Sequence, residues 1–116
     1  MRTLTVDVII APRYCLRMAI QSFKCSDTEA LFHDACAARR WKNIAVVAMR
    51  KLMQLNMAGV LEDLRVPPGN RLETLKGDRA GQHSIRVNDQ WRVCFVWTDA
   101  GPTDVEIVDY HDKQKR

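Results

Sequence analysis

The chain has 116 residues, 47% of them hydrophobic and 28% charged, and a formal charge of +4. That length allows one domain around a single modest core, and no apolar run approaches the ~20 residues a transmembrane helix needs. The basic excess favours a polyanionic partner without identifying one, and Cys15, Cys25, Cys36 and Cys94, which form no C-x-x-C pair, read as reduced thiols of a cytoplasmic protein.

In chain order, residues 1–17 come first as an N-terminal extension. Their apolar run, Val8-Ile9-Ile10-Ala11, is preceded by Asp7 and closed by Pro12, too short for a signal-peptide core. The extension reads as dispensable for activity, with Met18 a candidate physiological start. A domain over residues 18–111 follows, then a basic tail over 112–116. The domain opens with an extended stretch, Ile20 to Lys24. Ser26-Asp27-Thr28-Glu29 has the form of a capping box, which predicts a helix starting near Thr28 with Leu31, Ala35 and Ala38 as its apolar stripe. Asn43 is a candidate cap for a second helix, with Ile44, Ala48, Leu52 and Leu55 on one face, Arg50, Lys51 and Gln54 facing water, and Gly59 as the stop.

Val66-Pro67-Pro68-Gly69-Asn70 cannot be helical, and alternation takes over after it. Leu72 to Leu75 is a predicted short strand, Gly77 to Gly81 a loop, and Gln82 to Val87 and Trp91 to Thr98 a hairpin. Thr103 to about Tyr110 is the last strand. For Ile85, Val87, Trp91, Val93, Phe95 and Trp97 to share one face, the hairpin loop must be odd. Three residues, Asn88-Asp89-Gln90, pair Val87 with Trp91 and Ile85 with Val93, and set Arg86 opposite Arg92 on the other face. The expected fold is α+β, two N-terminal helices packed on a small twisted, mostly antiparallel sheet.

Between residues 65 and 92 the polar face or its rims carry Arg65, Arg71, Lys76, Arg79, Arg86 and Arg92 against Glu73, Asp78 and Asp89. Such a set reads either as a solvated face or as a surface for phosphate. At the chain end, Asp109-Tyr110-His111 groups a carboxylate, an aromatic ring and an imidazole. Cleaving RNA without metal needs a base for the 2′-hydroxyl, an acid for the 5′-oxygen and cations for the growing phosphate charge. Asp109, His111 and the arginines can fill those posts, although a frayed terminal His111 and a packed Tyr110 fit the spacing equally well. His33 and His83 have no metal-ligand spacing and read as structural or surface residues. Gly69, Gly77 and Gly81 lack a following Lys-Ser or Lys-Thr, which argues against a nucleotide cofactor. No metal and no cofactor are expected.

Three separated motifs, Leu75-Lys76-Gly77-Asp78-Arg79-Ala80-Gly81, Ser84 through Arg92, and Asp109-Tyr110-His111, together with Ile20-Gln21-Ser22-Phe23, resemble the HigB toxins of the RelE/ParE superfamily, in particular the branch that includes GraT. The resemblance runs from about Met18 to His111. It implies a ribosome-dependent endoribonuclease, the toxin of a type II toxin–antitoxin pair, cutting messenger RNA in the ribosomal A site. By the same resemblance, Lys76 and Arg92 are phosphate clamps, His111 a general acid or base, Tyr110 a stacking platform and Asp109 a partner or base. The cation set of the polar face makes Arg71, Arg79 and Arg86 candidates for further phosphate contacts, and Glu73 stands where some relatives carry a histidine. The implied partners are a HigA-like antitoxin with a helix-turn-helix domain, through which the complex binds operator DNA, and the ribosome with its message. Two other readings stay open: a ParE-like toxin that binds DNA gyrase, and a degenerate toxin surviving as an antitoxin-bound co-regulator.

Overall fold

The computed structural model describes residues 20–109. In chain order it holds α1 (Ser26–Asp34), α2 (Ala45–Met57), β1 (Glu73–Thr74), β2 (His83–Arg86), β3 (Trp91–Thr98) and β4 (Gly101–Asp109), with short 3-10 turns between them. The strands form one antiparallel sheet in the order β1-β2-β3-β4. The extended stretch after Ile20 runs alongside β4: Phe23 bridges Val105 in parallel, and the Gln21 and Lys24 amides donate to the Pro102 and Val105 carbonyls at 2.8 and 3.0 Å.

α1 begins two residues earlier than its capping-box spacing predicts. Cys25 is the N-cap, and no side chain caps the first turn. Thr28 instead faces inward, fully buried, where its Oγ1 accepts the Ile107 amide at 3.1 Å. A buried amide beside the strand end outbids a solvent-exposed cap, because an unpaired buried N–H costs about 1–3 kcal/mol. The helix also stops sooner than its stripe suggests. Ala35 is left-handed (φ 56°), and the Ala35 and Cys36 amides fold back onto the Leu31 and Ala30 carbonyls, so Ala38 lies beyond the helix.

In α2 the predicted apolar face is the observed one: Ile44, Ala48, Leu52 and Leu55 are buried. Ile44 rather than Asn43 occupies the N-cap, again without a side-chain bond, and the helix ends before Ala58. Arg50 faces solvent as expected, whereas Lys51 and Gln54 are partly buried and bonded. Their partner is Asn70, a residue the chain delivers from the Pro-rich turn.

The hairpin has the register argued from alternation. Ile85 pairs with Val93 and Arg86 with Arg92, and the Val87 amide donates to the Trp91 carbonyl at 2.9 Å. Asn88 Oδ1 closes the three-residue loop by accepting the Gln90 and Trp91 amides, both at 2.8 Å. Leu31, Trp41, the buried face of α2, Ile85, Val87, Val93, Phe95, Val105 and Ile107 make one core, with Trp91 and Trp97 packed at its margin.

Candidate functional site

The opposite face of the sheet is built by register. Paired residues of antiparallel strands project to the same side. Glu73 pairs with Ser84, Ser84 with Cys94 and Cys94 with Glu106, giving one row across all four strands. The neighbouring row is Arg86, Arg92 and Val108.

Arg92 is the centre of this face and is only 4% exposed. Its Nε donates to Ser84 Oγ at 2.7 Å, and its Nη2 donates to the Ser84 carbonyl at 3.2 Å and to the Arg71 carbonyl. Glu73 Oε1 lies 3.9 Å from the same nitrogen. A guanidinium taken out of water needs such partners, and the fixed fork of its donors suits carbonyl and carboxylate oxygens. The Arg71 carbonyl is available because Arg71 is left-handed (φ 47°, ψ 58°), ending the turn Pro68–Asn70.

That turn is held from α2. Fully buried Asn70 accepts Lys51 Nζ at 2.6 Å and donates to Gln54 Oε1 at 3.0 Å and to the Leu64 carbonyl at 3.1 Å. Burial lowers the Lys51 pKa below its usual value, and the positive charges of Arg50 and Arg86 lower it further. A chain of polar contacts therefore runs from α2 through Asn70 and Arg71 to Arg92 and Ser84.

The predicted site residues divide into groups. Glu73, Arg86 and Arg92 come together on one face, with Ser84 as an anchor that sequence reasoning missed. Arg86 is partly exposed and paired with Asp89 across the hairpin loop. Lys76, at the entrance to the loop Gly77–Arg79, is exposed and forms no ion pair among the described residues, and Arg71 presents an exposed side chain. Positive φ at Gly77 (64°) and Gly81 (93°) lets the chain turn on either side of that short loop.

Arg79 behaves differently. Its Nη1 is tied to Glu106 Oε2 and to Gln82 Oε1, both at 3.0 Å, and its side chain is 23% exposed. Lys24 lies 3.9 Å from the same Glu106 oxygen. Glu106 was legible only as one more polar position in a strand, since its importance comes from a loop 27 residues away. Arg65 pairs with Glu62 on an exposed turn. Asp109 pairs in register with Trp91, so strand alternation sets it on the side opposite Arg92, and its Oδ2 accepts Gln90 Nε2 at 3.1 Å. Tyr110 and His111 lie outside the described residues, as do residues 1–17 and the tail 112–116.

His83 is partly buried against Phe95, with ring centroids 5.9 Å apart, and its Nδ1 lies 3.2 Å from Thr74 Oγ1. Burial lowers its pKa below the usual imidazole value. Among the described residues no group of three or more His, Cys, Asp or Glu side chains could hold a metal ion.

A buried arginine supported by serine, backbone and carboxylate, rimmed by exposed cations, is a framework into which family identity can be read. Residues 21–112 match the family described as RelE-like toxin of type II toxin-antitoxin system HigB. The chain belongs to the HigB-like toxins. A relative, Toxin HigB-1 of Vibrio cholerae serotype O1, is 54% identical over 66 residues, which are 57% of this chain and 65% of that protein. An uncharacterised protein of Haemophilus influenzae is 38% identical over 55 residues, 47% of this chain and 54% of its own length. The chain thus matches under two thirds of the length of these curated relatives. No helix among the described residues is long and apolar enough to cross a membrane.

Proposed function

We propose that this HigB-like toxin is a ribosome-dependent endoribonuclease of the cytoplasm that cuts messenger RNA in the A site without a metal ion. The observation that carries the reading is Arg92: a guanidinium buried under the polar face and fixed from Ser84 and Arg71. A fixed positive charge with no need to reorganise is what stabilises charge growing on a phosphate. In this scheme Arg92 supplies the field from below, while Lys76, Arg71 and Arg86 reach the phosphate oxygens from the rim. Arg79, held by Glu106, serves to shape the loop that carries Lys76.

The 2′-oxygen attacks phosphorus and the P–O5′ bond breaks, leaving a 2′,3′-cyclic phosphate and a 5′-hydroxyl. One group takes the 2′ proton and another returns a proton to the 5′-oxygen. His111 and Glu73, the latter standing in for the histidine found in some relatives, are the candidates, with Tyr110 to stack on a base; Asp109, on the side of the sheet opposite Arg92, is left the role of a partner. A HigA-like antitoxin with a helix-turn-helix domain would restrain the toxin and carry the complex to operator DNA.

The test is cleavage of a reporter message by purified protein with and without programmed ribosomes, for wild type, His111→Ala and Lys76→Ala. Ribosome-dependent cuts with cyclic phosphate ends that vanish in either variant are expected. If wild type leaves the message intact on the ribosome, or if both variants cut as fast as wild type, the nuclease reading fails and inhibition of DNA gyrase becomes the assay to run.

A further inference from the structure

Lys51 stands at the margin of α2, between its core side and solvent. At about 100° per residue it lies about 60° round the helix from buried Ala48, so its stem is half covered while its ammonium reaches past the helix. There Nζ donates to Oδ1 of fully buried Asn70 at 2.6 Å. Asn70 ends the turn Pro68–Asn70, and the next residue, Arg71, gives its carbonyl to Arg92 Nη2 and keeps its own side chain exposed. The Lys51 ammonium is therefore bonded one residue away from the backbone that holds Arg92.

The sheet is open on this side. β1 covers β2 only at Ser84 and His83, so no strand lies over the β2 edge at Arg86, and the turn Pro68–Asn70 also packs on β2. Burial is the first cause of the lowered Lys51 pKa, and the nearby charges of Arg50 and Arg86 add to it. Among the described residues neither Arg50 nor Lys51 forms an ion pair, and the hydrogen bond of Lys51 goes to a neutral amide. Arg86 has Asp89, whose side chain is 96% exposed, a pairing that water weakens. A half-buried ammonium set among cations without a carboxylate is a place where an anion relieves repulsion. A lysine, as a point charge, takes a phosphate without the fixed geometry an arginine fork imposes.

Resting on the nuclease reading above, we infer that Lys51, with Arg86, binds a backbone phosphate of the messenger strand next to the one that is cut. Arg86, opposite Arg92 in the sheet and near Lys51, stands between the two phosphates. The strand then leaves the sheet across the turn Pro68–Asn70 toward α2. Lys51 governs how tightly the message is held rather than how fast it is cut, because it meets a phosphate that undergoes no reaction.

The test is binding of a short fluorescent single-stranded RNA, its 2′-hydroxyls methylated so that it cannot be cut, to the purified full chain over a series of low salt concentrations. Wild type is compared with Lys51→Gln, Lys51→Arg and Gln54→Leu. Glutamine keeps an amide donor for Asn70 but removes the charge, whereas Gln54→Leu takes a support from Asn70 and leaves every charge in place. Lys51→Gln should bind severalfold more weakly, with the salt slope shallower by about 0.7, while Lys51→Arg and Gln54→Leu stay close to wild type. On programmed ribosomes Lys51→Gln should raise the toxin concentration for half-maximal cleavage and leave the maximal rate within about twofold. Acetylation of the native chain, read by peptide mass spectrometry, decides the question if Lys51→Gln does not fold: the RNA should protect Lys51 and spare exposed Lys42. No binding by wild type, equal binding by Lys51→Gln, an equal loss in Gln54→Leu, or an unprotected Lys51 each overturns the inference. Loss of affinity confined to vacant ribosomes overturns it too, and assigns the phosphate to ribosomal RNA. A wild type that binds the RNA but cuts nothing on the ribosome overturns the nuclease reading, whereas a cutting wild type matched by Lys51→Gln in binding and half-saturation overturns this inference alone.

Discussion

The centres of the sheet's two faces are buried to similar degrees by different means. On one, Ile85, Val93, Phe95, Val105 and Ile107 are covered by Trp41 and the apolar side of α2. On the other, Ser84, Arg92 and Cys94 are equally inaccessible, but Arg92 is held by hydrogen bonds to a strand and to a turn anchored through Asn70. The apolar face depends on filled volume, so substitutions of similar size are tolerated. The polar face depends on each bond being made, because a single lost donor strands several acceptors. Under the proposed nuclease function, holding positive charge ready for phosphate calls for the second kind of construction, with the first to support it.

This contrast can be broken most severely from the apolar side. Phe95→Ala, at a fully buried position, is expected to lower unfolding free energy by about 4 kcal/mol, measured by urea titration. Next comes Arg92→Met, which keeps much of the volume but strands the Ser84 and Arg71 oxygens. It should cost about 2–3 kcal/mol, and Arg92→Lys should recover only part of that. If Arg92→Met were as stable as wild type, the guanidinium would not be what holds the Arg71 turn to the sheet.

Lys76→Ala sharpens the comparison because it touches charge without touching construction. Stability should stay within about 0.5 kcal/mol of wild type, while ribosome-dependent cleavage falls on the order of 100-fold. The smallest effect belongs to His83, at the sheet margin. Burial holds its folded pKa below the unfolded 6.5, so the unfolded chain binds more protons as pH falls. Its contribution is therefore complete above about pH 6.5 and declines as pH drops through the folded value. Urea midpoints at pH 7.5 and pH 5 should move less in His83→Gln than in wild type, and an identical pH dependence would remove His83 from the account.

Much of the fold was legible from local pattern. The side-chain period of a strand is two, so the demand that Ile85, Val87, Trp91 and Val93 share a face left only an odd hairpin loop, and the observed pairing of Arg86 with Arg92 follows from it. The buried face of α2 was legible for the same kind of reason, at a period of 3.6. Helix ends were less so. Ser26 and Asn43 are good caps in isolation, yet Thr28 was drawn to the Ile107 amide and Ile44 became the N-cap of α2. The deciding groups there lie 79 residues apart in one case, beyond the reach of any local rule.

The candidate site shows the same division. Composition, alternation and the three motifs named Glu73, Lys76, Arg86, Arg92 and Asp109 and the class of chemistry they suit. They did not separate the buried cation from the exposed ones, or the arginine tied to Glu106 from those left at the rim. The sequence by itself determined which residues alternate, which stretches are helix or strand, and that cations gather beside the hairpin, because each of these is a property of neighbours along the chain. Only the tertiary structure decided that Arg92 is buried, that Lys51 and Gln54 turn inward to Asn70, and that Asp109 falls on Trp91's side of the sheet. Each of those outcomes depends on a polar partner or a strand register supplied from a distant part of the chain, and a hydrogen bond exists only when both ends arrive.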